Sequence, residues 1–142
     1  LTTVRWGLAK LLGDPGDSHS RIEVFQQHEA GRLEEARQTR RWVDEVAGAR
    51  ALLGGDFNAT PQCKLYDSNW RDFHNTFEEA GIGYGYTARC DDPAYWPANT
   101  PWVRIDHIVH GSEWRCVRTG RGQTAGSDHR FIWADVVRVS SE

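Results

Sequence analysis

The sequence predicts a single α/β domain of 142 residues, in which runs typical of strands alternate with patterns typical of helices. Two observations support this prediction. Short apolar or β-branched runs end at polar residues or glycines, and one longer stretch has apolar side chains spaced three and four residues apart. The strands are predicted at residues 1–6, 52–58, 103–110, 114–117 and 130–139, and the helices at residues 29–49 and 70–80.

Composition places the chain among folded, globular domains. Seven Trp and a charged fraction of 26% are typical of a chain that can bury a core, and no apolar run approaches the length of a membrane span. The formal charge of −3 weighs against a strongly basic body that binds long nucleic acids. The three Cys residues show neither a disulfide framework nor a zinc-binding spacing. Because the chain begins at Leu1 and contains no Met, we expect it to lack an upstream segment.

The N-terminal third is predicted to run from a strand through a loop into a helix. β-Branched and aromatic side chains are frequent in residues 1–6, whereas residues 7–21 contain the Gly, Pro, Asp and Ser residues of an exposed loop. In residues 29–49, apolar side chains such as Val43 recur on one helical face with charges between them. Gly48 marks the predicted end of this helix.

The stretch at residues 52–58 is the one around which the other elements are arranged. An apolar run stops at Gly54 and Gly55 and then presents Asp56 and Asn58 two residues apart. Residues two apart in an extended chain point to the same side, so a carboxylate and a carboxamide would project together from the strand end. The pattern alone fits equally well a strand that ends in an ordinary Asx turn.

Beyond this strand, the helix predicted at residues 70–80 has Phe73 and Phe77 four residues apart and Gly81 as its C-cap. A long irregular loop follows at residues 81–101. Its aromatic residues either anchor the loop to the body or form a platform that stacks on bases or sugars. These residues, with the one that follows the loop, are Tyr84, Tyr86, Tyr95, Trp96 and Trp102.

A charged residue interrupts the next predicted strand. Asp106 lies in the middle of the apolar run at residues 103–110. A carboxylate in such a run is costly unless it is paired. Asp106 is therefore either part of a structural salt bridge or a support for a catalytic group.

The last predicted strand, residues 130–139, is preceded by a polar motif. Asp128 and His129 stand at its start, directly after a Gly-rich loop that contains Gly120 and Gly122. Because the strand itself is a nearly continuous apolar run, we expect it to be buried largely on both faces. A carboxylate beside His129, and another on a preceding strand, distinguish it from an ordinary surface histidine.

The ordered set Gly-Asp-Phe-Asn, Arg-Ile-Asp-His and Gly-Ser-Asp-His resembles the endonuclease/exonuclease/phosphatase superfamily, the group with the deoxyribonuclease I-like fold. In this order the three motifs are much more specific than any one of them. The Thr-Thr-Val run at the start, Arg37 with Gln38, and Pro61 are smaller agreements. The resemblance covers essentially the whole chain. It implies that residues 1–142 form the C-terminal half to two-thirds of a two-sheet α/β sandwich, with upstream strands missing.

The resemblance also implies metal-dependent cleavage of a phosphate ester by an activated water. By matched motif, Asp56 would orient that water or handle the leaving-group proton, and Asn58 would bind a phosphate oxygen. Asp128 would contact Mg²⁺ (or Mn²⁺). His129 would bond the scissile phosphate, with Asp106 accepting from its other ring nitrogen and fixing its tautomer. The residue chemistry independently fits these roles, because hard oxygen ligands suit Mg²⁺ and an imidazole works best when a carboxylate orients it.

Two departures from the family pattern keep a second hypothesis open. An Asn and a metal-binding Glu of the family's early motifs are absent, and Arg5 stands where the family carries a catalytic His. An Arg cannot act as a base at neutral pH. The alternative to an enzyme is therefore a catalytically inactive binding module that retains the fold, and the chain alone is expected to have an incomplete metal shell. A further hypothesis, a zinc enzyme, lacks any compact ligand spacing among its candidates His19, His28, His74 and His107.

The partner implied by the resemblance is a phosphate ester. In that family the substrate is a nucleic acid, a phosphorylated small molecule or a lipid, and loops on a common fold select among them. The sequence does not choose one of these substrates. We expect a monomer without a transmembrane segment, and both a cytoplasmic and a secreted location fit the sequence.

Overall fold

The computed structural model describes residues 18–89, 100–123 and 125–139. The strand predicted at residues 1–6, with Arg5, lies outside these ranges, and so do Tyr95, Trp96 and most of the loop predicted at residues 7–21. Within them, no helix is both long enough and apolar enough to cross a lipid bilayer.

The described residues form an α/β fold, as the sequence predicts. Its helices are α1 (Ser18–Val46), α2 (Lys64–Trp70) and α3 (Thr76–Ala80), with a 3₁₀ turn at Gly48–Arg50. Its strands are β1 (Leu52–Asp56), β2 (His74–Asn75), β3 (Ala88–Arg89), β4 (Pro101–Val103), β5 (Asp106–His110), β6 (Trp114–Gly122) and β7 (Phe131–Arg138). They make antiparallel sheets in the orders β1-β5-β2, β3-β4 and β6-β7.

The first helix is longer than the prediction at residues 29–49, because it begins at Ser18. Ile22 and Phe25 in its first half are 47% and 45% exposed. This half of the helix therefore lacks the buried apolar face whose spacing would have predicted it from the sequence. Farther along, Val43 is buried and packs into the core, as the helical spacing predicts. The core lies between this helix, α2 and the β1-β5-β2 sheet, with Val109 of β5 fully enclosed.

The helix predicted at residues 70–80 is wrong, because α2 ends at Trp70 and α3 begins only at Thr76. The Asn75 side chain accepts a hydrogen bond from the Phe77 backbone N–H at 3.0 Å, and a residue that caps a helix in this way is itself extended. Gly81 is the C-cap of α3, as predicted. A Cβ atom there would lie 2.4 Å from the Phe77 carbonyl oxygen, so the close backbone approach requires glycine.

The strand predicted at residues 103–110 is divided between β4 and β5. The Thr87 hydroxyl accepts hydrogen bonds from the backbone N–H groups of Ile105 and Asp106, both at 3.2 Å. Because these two donors bond to a side chain, the backbone ladder is interrupted between the two strands. The break places Asp106 at the first position of β5, beside the end of β1.

Strand β6 extends beyond the prediction at residues 114–117 and includes two glycines that were predicted to lie in a loop. A Cβ atom would lie 2.7 Å from the Trp133 ring at Gly120 and 2.1 Å from the Phe131 ring at Gly122. The aromatic rings of β7 thus pack directly over the backbone of the two glycines. Because no side chain fits beneath these rings, glycine is suitable at both positions of the strand.

The prediction that the final strand is buried on both faces is also wrong. Within the described ranges, β7 pairs only with β6. Phe131, Trp133 and Val137 lie at alternate positions on one face of β7 and are 52%, 39% and 41% exposed, so no described element covers that face closely.

Two glycine substitutions test this description of the backbone. A Cβ atom at the buried Gly111 would lie 2.3 Å from the Ala49 carbonyl oxygen, whereas one at Gly31 in α1 would meet nothing within 4 Å. We expect Gly111→Ala to lower the free energy of unfolding by about 1–3 kcal/mol, and Gly31→Ala to raise it by roughly 0.5–1 kcal/mol. Urea unfolding measures both, and equal stabilities for the two variants would contradict the described packing around Gly111.

Candidate active site

Two carboxylates face each other where β1 meets β5. In the antiparallel register of these strands, Asp56 at the end of β1 lies directly opposite Asp106 at the start of β5. Side chains at directly opposite positions of an antiparallel pair are neighbours, with Cβ atoms roughly 5 Å apart. Like charges in this arrangement repel each other, so the pair favours a cation or a hydrogen-bond donor between or beside the two groups.

Asn58 is held beside Asp56 by a tight turn. The Asp56 carboxylate accepts hydrogen bonds from the backbone N–H and from the side-chain Nδ2 of Asn58, both at 2.8 Å. Asn58 has a left-handed backbone conformation with φ +49°, which Asn adopts more readily than most residues. The Asx turn and the predicted polar pair are therefore the same feature, in which Asn58 lies just beyond the strand and its carboxamide stays beside Asp56.

His129 is brought to this place by backbone bonds to β3. It forms an isolated antiparallel bridge with Ala88. On either side, the Arg89 N–H donates to the Asp128 carbonyl at 3.1 Å, and the Arg130 N–H donates to the Thr87 carbonyl at 2.7 Å. These backbone hydrogen bonds on both sides of His129 fix the position of its Cα atom.

The imidazole of His129 reaches the carboxylate of Asp106. The distance from His129 Nδ1 to Asp106 Oδ2 is 2.9 Å, and both side chains are largely buried, with 27% and 13% exposed. Because an ionised carboxylate can only accept, Nδ1 carries the hydrogen and Nε2 is left for another partner. Asp106 thus has the partner that the apolar run around it requires, and that partner is the histidine that the sequence predicts.

The pKa of Asp56 is raised by its surroundings. Partial loss of hydration raises the pKa of its carboxyl group, the neighbouring charge of Asp106 raises it further, and the hydrogen bond from the Asn58 backbone N–H opposes the rise. Asp56 as a residue is exposed, but its carboxyl group stands among polar neighbours that partly exclude water. A carboxyl group with a raised pKa beside a second carboxylate is a frequent feature of catalytic sites.

The donor atoms at this place suit a divalent cation. One potential ligand atom from each of Asp56, Asp106 and His129 lies within 4.8 Å of the other two. Carboxylate oxygens are the ligands that Mg²⁺ and Mn²⁺ prefer, whereas Nδ1 of His129 is already engaged by its hydrogen bond to Asp106. Asp128, the residue predicted from the sequence as the metal ligand, is not a member of this group.

Asp128 lies in a small depression next to the group. The depression is lined by Arg89, Pro101, Gln123, Ser127, Asp128, His129 and Arg130. Arg89 also donates from its guanidinium to the Ser127 carbonyl at 2.6 Å. The structure thus brings together Asp56, Asn58, Asp106 and His129, and it places Asp128 beside them.

Among the aromatic residues of the predicted loop, the structure describes Tyr84 and Tyr86. They either anchor the loop to the body or form a stacking platform. Their rings stack at 5.2 Å with 10° between the planes, and Tyr84 is 79% exposed. An exposed ring does not anchor the loop to the body, so a stacking platform stays a prediction for Tyr84. Trp102, on β4, is 47% exposed.

From the sequence, His107 is only a candidate zinc ligand, and its position next to the site is not predicted. It is 1% exposed, its Nε2 lies 2.8 Å from the Ala59 carbonyl oxygen, and its Nδ1 lies 3.1 Å from Nδ2 of Asn75. Both ring nitrogens are therefore engaged by protein groups and neither is available to a metal. Alternation along β5 was the available signal, because it turns His107 away from Asp106 and into the core.

The buried His107 predicts how stability depends on pH. Burial lowers its pKa from 6.5 to about 4. Between these two pH values the unfolded chain binds the proton and the folded chain does not, so stability is fully present above the higher value and is lost as the pH falls. The loss attributable to His107 approaches roughly 3 kcal/mol near pH 4. Urea unfolding at several pH values in a chelator measures it, and His107→Gln should flatten the profile; an identical profile would contradict the prediction.

A family model described as the endonuclease/exonuclease/phosphatase family matches residues 19–129. Among solved structures, the chain is similar to an endonuclease/exonuclease/phosphatase from Bacteroides vulgatus at 26% identity and a TM-score of 0.61, over 78% of this chain and 45% of that one. No curated protein matches the chain.

Two further solved structures, both from Bacteroides thetaiotaomicron, share the fold. One is an endonuclease/exonuclease/phosphatase family protein at 22% identity and a TM-score of 0.59, over 77% of this chain and 45% of that one. The other is a mannosyl-6-phosphatase at 23% identity and a TM-score of 0.57, over 75% of this chain and 45% of that one. The chain therefore spans less than half the length of these similar proteins.

Proposed function

The chain belongs to the endonuclease/exonuclease/phosphatase family, and from this premise we propose that it is a metal-dependent phosphoesterase, using Mg²⁺ or Mn²⁺. The observation that carries the proposal is the meeting of Asp56, Asp106 and His129, whose ligand atoms lie within 4.8 Å of one another. These residues come from separate parts of the chain, and the register of β1 with β5 and the bridge between His129 and Ala88 bring them together. His129 is the partner of Asp106 and Asn58 is the partner of Asp56, and a cation would reduce the remaining repulsion between the two facing carboxylates.

In the proposed site, Asp56 and Asp106 would hold the cation, with Asp128 as a predicted further ligand, while His129 lies beside it with Nδ1 bonded to Asp106. When bound, such a cation stabilises the negative charge that develops on a phosphate during hydrolysis. The ligand set fits this task, because carboxylates are hard oxygen donors and the cation would neutralise the two facing charges.

The protein residues would share the proton transfers. In hydrolysis, a water molecule gives up a proton as its oxygen bonds to phosphorus, the ester P–O bond breaks, and the leaving oxygen takes up a proton from solvent. Asp56, whose pKa is raised by partial dehydration and by Asp106, is suited to accept hydrogen from the attacking water. His129 keeps Nδ1 bonded to Asp106 and would present Nε2 to a phosphate oxygen, donating to it when the ring is protonated.

Asn58 would contribute a neutral donor. One hydrogen of its Nδ2 is given to the Asp56 carboxylate at 2.8 Å, and a second hydrogen is left on the same nitrogen. In the proposal this second hydrogen bonds a phosphate oxygen. The bond to Asp56 holds the amide with its donor end beside the carboxylates, which agrees with that role.

The class of ester is the open part of the proposal. The formal charge of −3 favours a small phosphorylated substrate over a long nucleic acid. One protein of similar fold is a mannosyl-6-phosphatase, which supports including phosphorylated sugars among the candidates. We therefore propose that a phosphomonoester or a phosphodiester of a small molecule is the substrate, with lipid and nucleic-acid esters as the remaining candidates.

Hydrolysis of two model substrates tests the proposal. The natural protein that contains this chain is assayed with bis-(p-nitrophenyl) phosphate and with p-nitrophenyl phosphate, in Mg²⁺, in Mn²⁺ and in a chelator. We expect turnover with a divalent cation, none in the chelator, and a preference that identifies the ester class. Absence of turnover with every cation and substrate, in a protein whose folding is intact by circular dichroism, would support the inactive binding module instead.

A further inference from the structure

Two side chains that are distant in sequence donate hydrogen bonds to the backbone of the turn that contains Asn58. The carbonyl oxygen of Asn58 accepts a hydrogen bond from the guanidinium of Arg32 in α1. The next carbonyl oxygen, that of Ala59, accepts from Nε2 of His107 in β5 at 2.8 Å. Two successive carbonyls are thus engaged by different elements. The Asn58 side chain, in contrast, turns to the Asp56 carboxylate.

A chain of hydrogen bonds fixes the tautomer of His107. The Oδ1 atom of Asn75 accepts from the Phe77 N–H at 3.0 Å, so the other end of that amide, Nδ2, is its donor end. This nitrogen lies 3.1 Å from Nδ1 of His107. Nδ1 must therefore accept, and the ring hydrogen sits on Nε2, where it can be donated only to Ala59.

The ring of His107 also has little freedom to move. It is 1% exposed, and it packs against Phe57 edge-on at 5.3 Å and against Tyr66 at 4.8 Å between ring centroids. Phe57 lies between Asp56 and Asn58 in the turn. His107 therefore contacts the residue before Asn58 through its ring and the residue after it through a hydrogen bond.

We propose that His107 is a positioning residue, which sets the orientation of Asn58 toward the substrate phosphate without touching the substrate. The inference rests on the proposed phosphoesterase function. Asn58 has a left-handed backbone, which is uncommon for residues other than glycine although Asn adopts it more readily than most, and the bonds to the carbonyls of Asn58 and Ala59 hold the turn in this conformation. Adjacent residues of β5 would then have separate positioning roles. Asp106 orients His129 on one face of the strand, and His107 orients the turn on the other face.

Three variants separate positioning from stability. His107→Phe keeps a flat ring among Phe57 and Tyr66 but cannot donate to Ala59. His107→Gln keeps a nitrogen donor at about the same reach. Val109→Ala serves as the control, because Val109 is fully buried two residues farther on the same face of β5 and has no bond to the turn.

Kinetics give the first readout. We expect His107→Phe to lower kcat roughly 10- to 100-fold with a smaller change in KM, because a displaced catalytic group costs rate more than binding. His107→Gln should recover most of kcat. Val109→Ala should lower the unfolding temperature and leave kcat unchanged wherever the variant is folded. A kcat for His107→Phe within about twofold of the parent protein, or a loss in Val109→Ala as large as in His107→Phe, would overturn the inference.

A second readout does not depend on activity. The side-chain amide signals of Asn58 in the ¹⁵N NMR spectrum report its orientation in the protein without substrate. They should shift or broaden in His107→Phe and stay close to the parent positions in Val109→Ala. If the parent protein turns over no substrate, the proposed function fails. Unchanged Asn58 signals in His107→Phe would reject the positioning role by itself.

Discussion

Replacing His129 with Ala is expected to lower kcat for phosphate-ester hydrolysis by about 10²- to 10⁴-fold. Asp106→Asn should cost a loss of similar size, because an amide facing Nδ1 at 2.9 Å no longer holds the imidazole in its working tautomer. Since the two residues act as a unit, the double variant should lose little more than the worse single variant. Steady-state kinetics of the three variants measure this coupling.

The matched control for this prediction is a second ion pair that lies outside the site. Arg118 and Asp135 are 2.6 Å apart on exposed parts of β6 and β7, with 74% and 46% of their side chains accessible. Asp135→Asn should leave kcat unchanged and alter stability by less than about 1 kcal/mol. Strictly additive losses from His129→Ala and Asp106→Asn would contradict the proposed unit.

Asp56→Asn is expected to remove most of the response of the protein to divalent cations. In the parent protein, Mg²⁺ or Mn²⁺ at about 100 times its dissociation constant should raise the free energy of unfolding by roughly 2.7 kcal/mol. Removing one of the two facing carboxylates should remove most of that gain, and kcat should fall by about 10²-fold or more. Thermal unfolding with and without the cation measures the stability effect.

The control for Asp56→Asn is Asp67→Asn on the exposed side of α2, where Asp67 lies 3.3 Å from Arg71. This variant should keep both the cation-dependent stabilisation and the activity. An Asp56→Asn variant that is stabilised by Mn²⁺ as strongly as the parent protein would show that the cation binds elsewhere.

The residues of the candidate site could be proposed from the sequence because they lie in short motifs. Asp56 with Asn58, and Asp128 with His129, are short motifs whose residue types already state what they can do. Their meeting could not be derived from the residues alone, since it depends on the register that sets Asp56 opposite Asp106 and on the bridge between His129 and Ala88. Such pairings join distant parts of the chain, and no local pattern encodes them.

The incorrect predictions have physical causes of the same kind. The spacing of Phe73 and Phe77 satisfies a helix, but spacing does not reveal that the side chain of Asn75 caps a new helix between them. Gly120 and Gly122 are loop-forming residues by themselves, and only the rings of β7 that cover them make them suitable for a strand.

The role proposed for His107 could not be predicted from the sequence for a further reason. Its hydrogen-bond partner, the Ala59 carbonyl, is 48 residues away along the chain and is a backbone group with no sequence signature. A histidine in an apolar strand is therefore indistinguishable, by pattern alone, from one that merely fills the core. The sequence can suggest which side chains react, whereas those that position them are found through their contacts.

The most direct test of the central claim is the location of a bound divalent cation. In NMR spectra of the ¹⁵N- and ¹³C-labelled protein, substoichiometric Mn²⁺ broadens signals of nuclei close to it. We predict that the side-chain signals of Asp56, Asp106 and His129 broaden first and together. Broadening centred away from Asp56 and Asp106, or spread evenly over the acidic surface, would contradict the account.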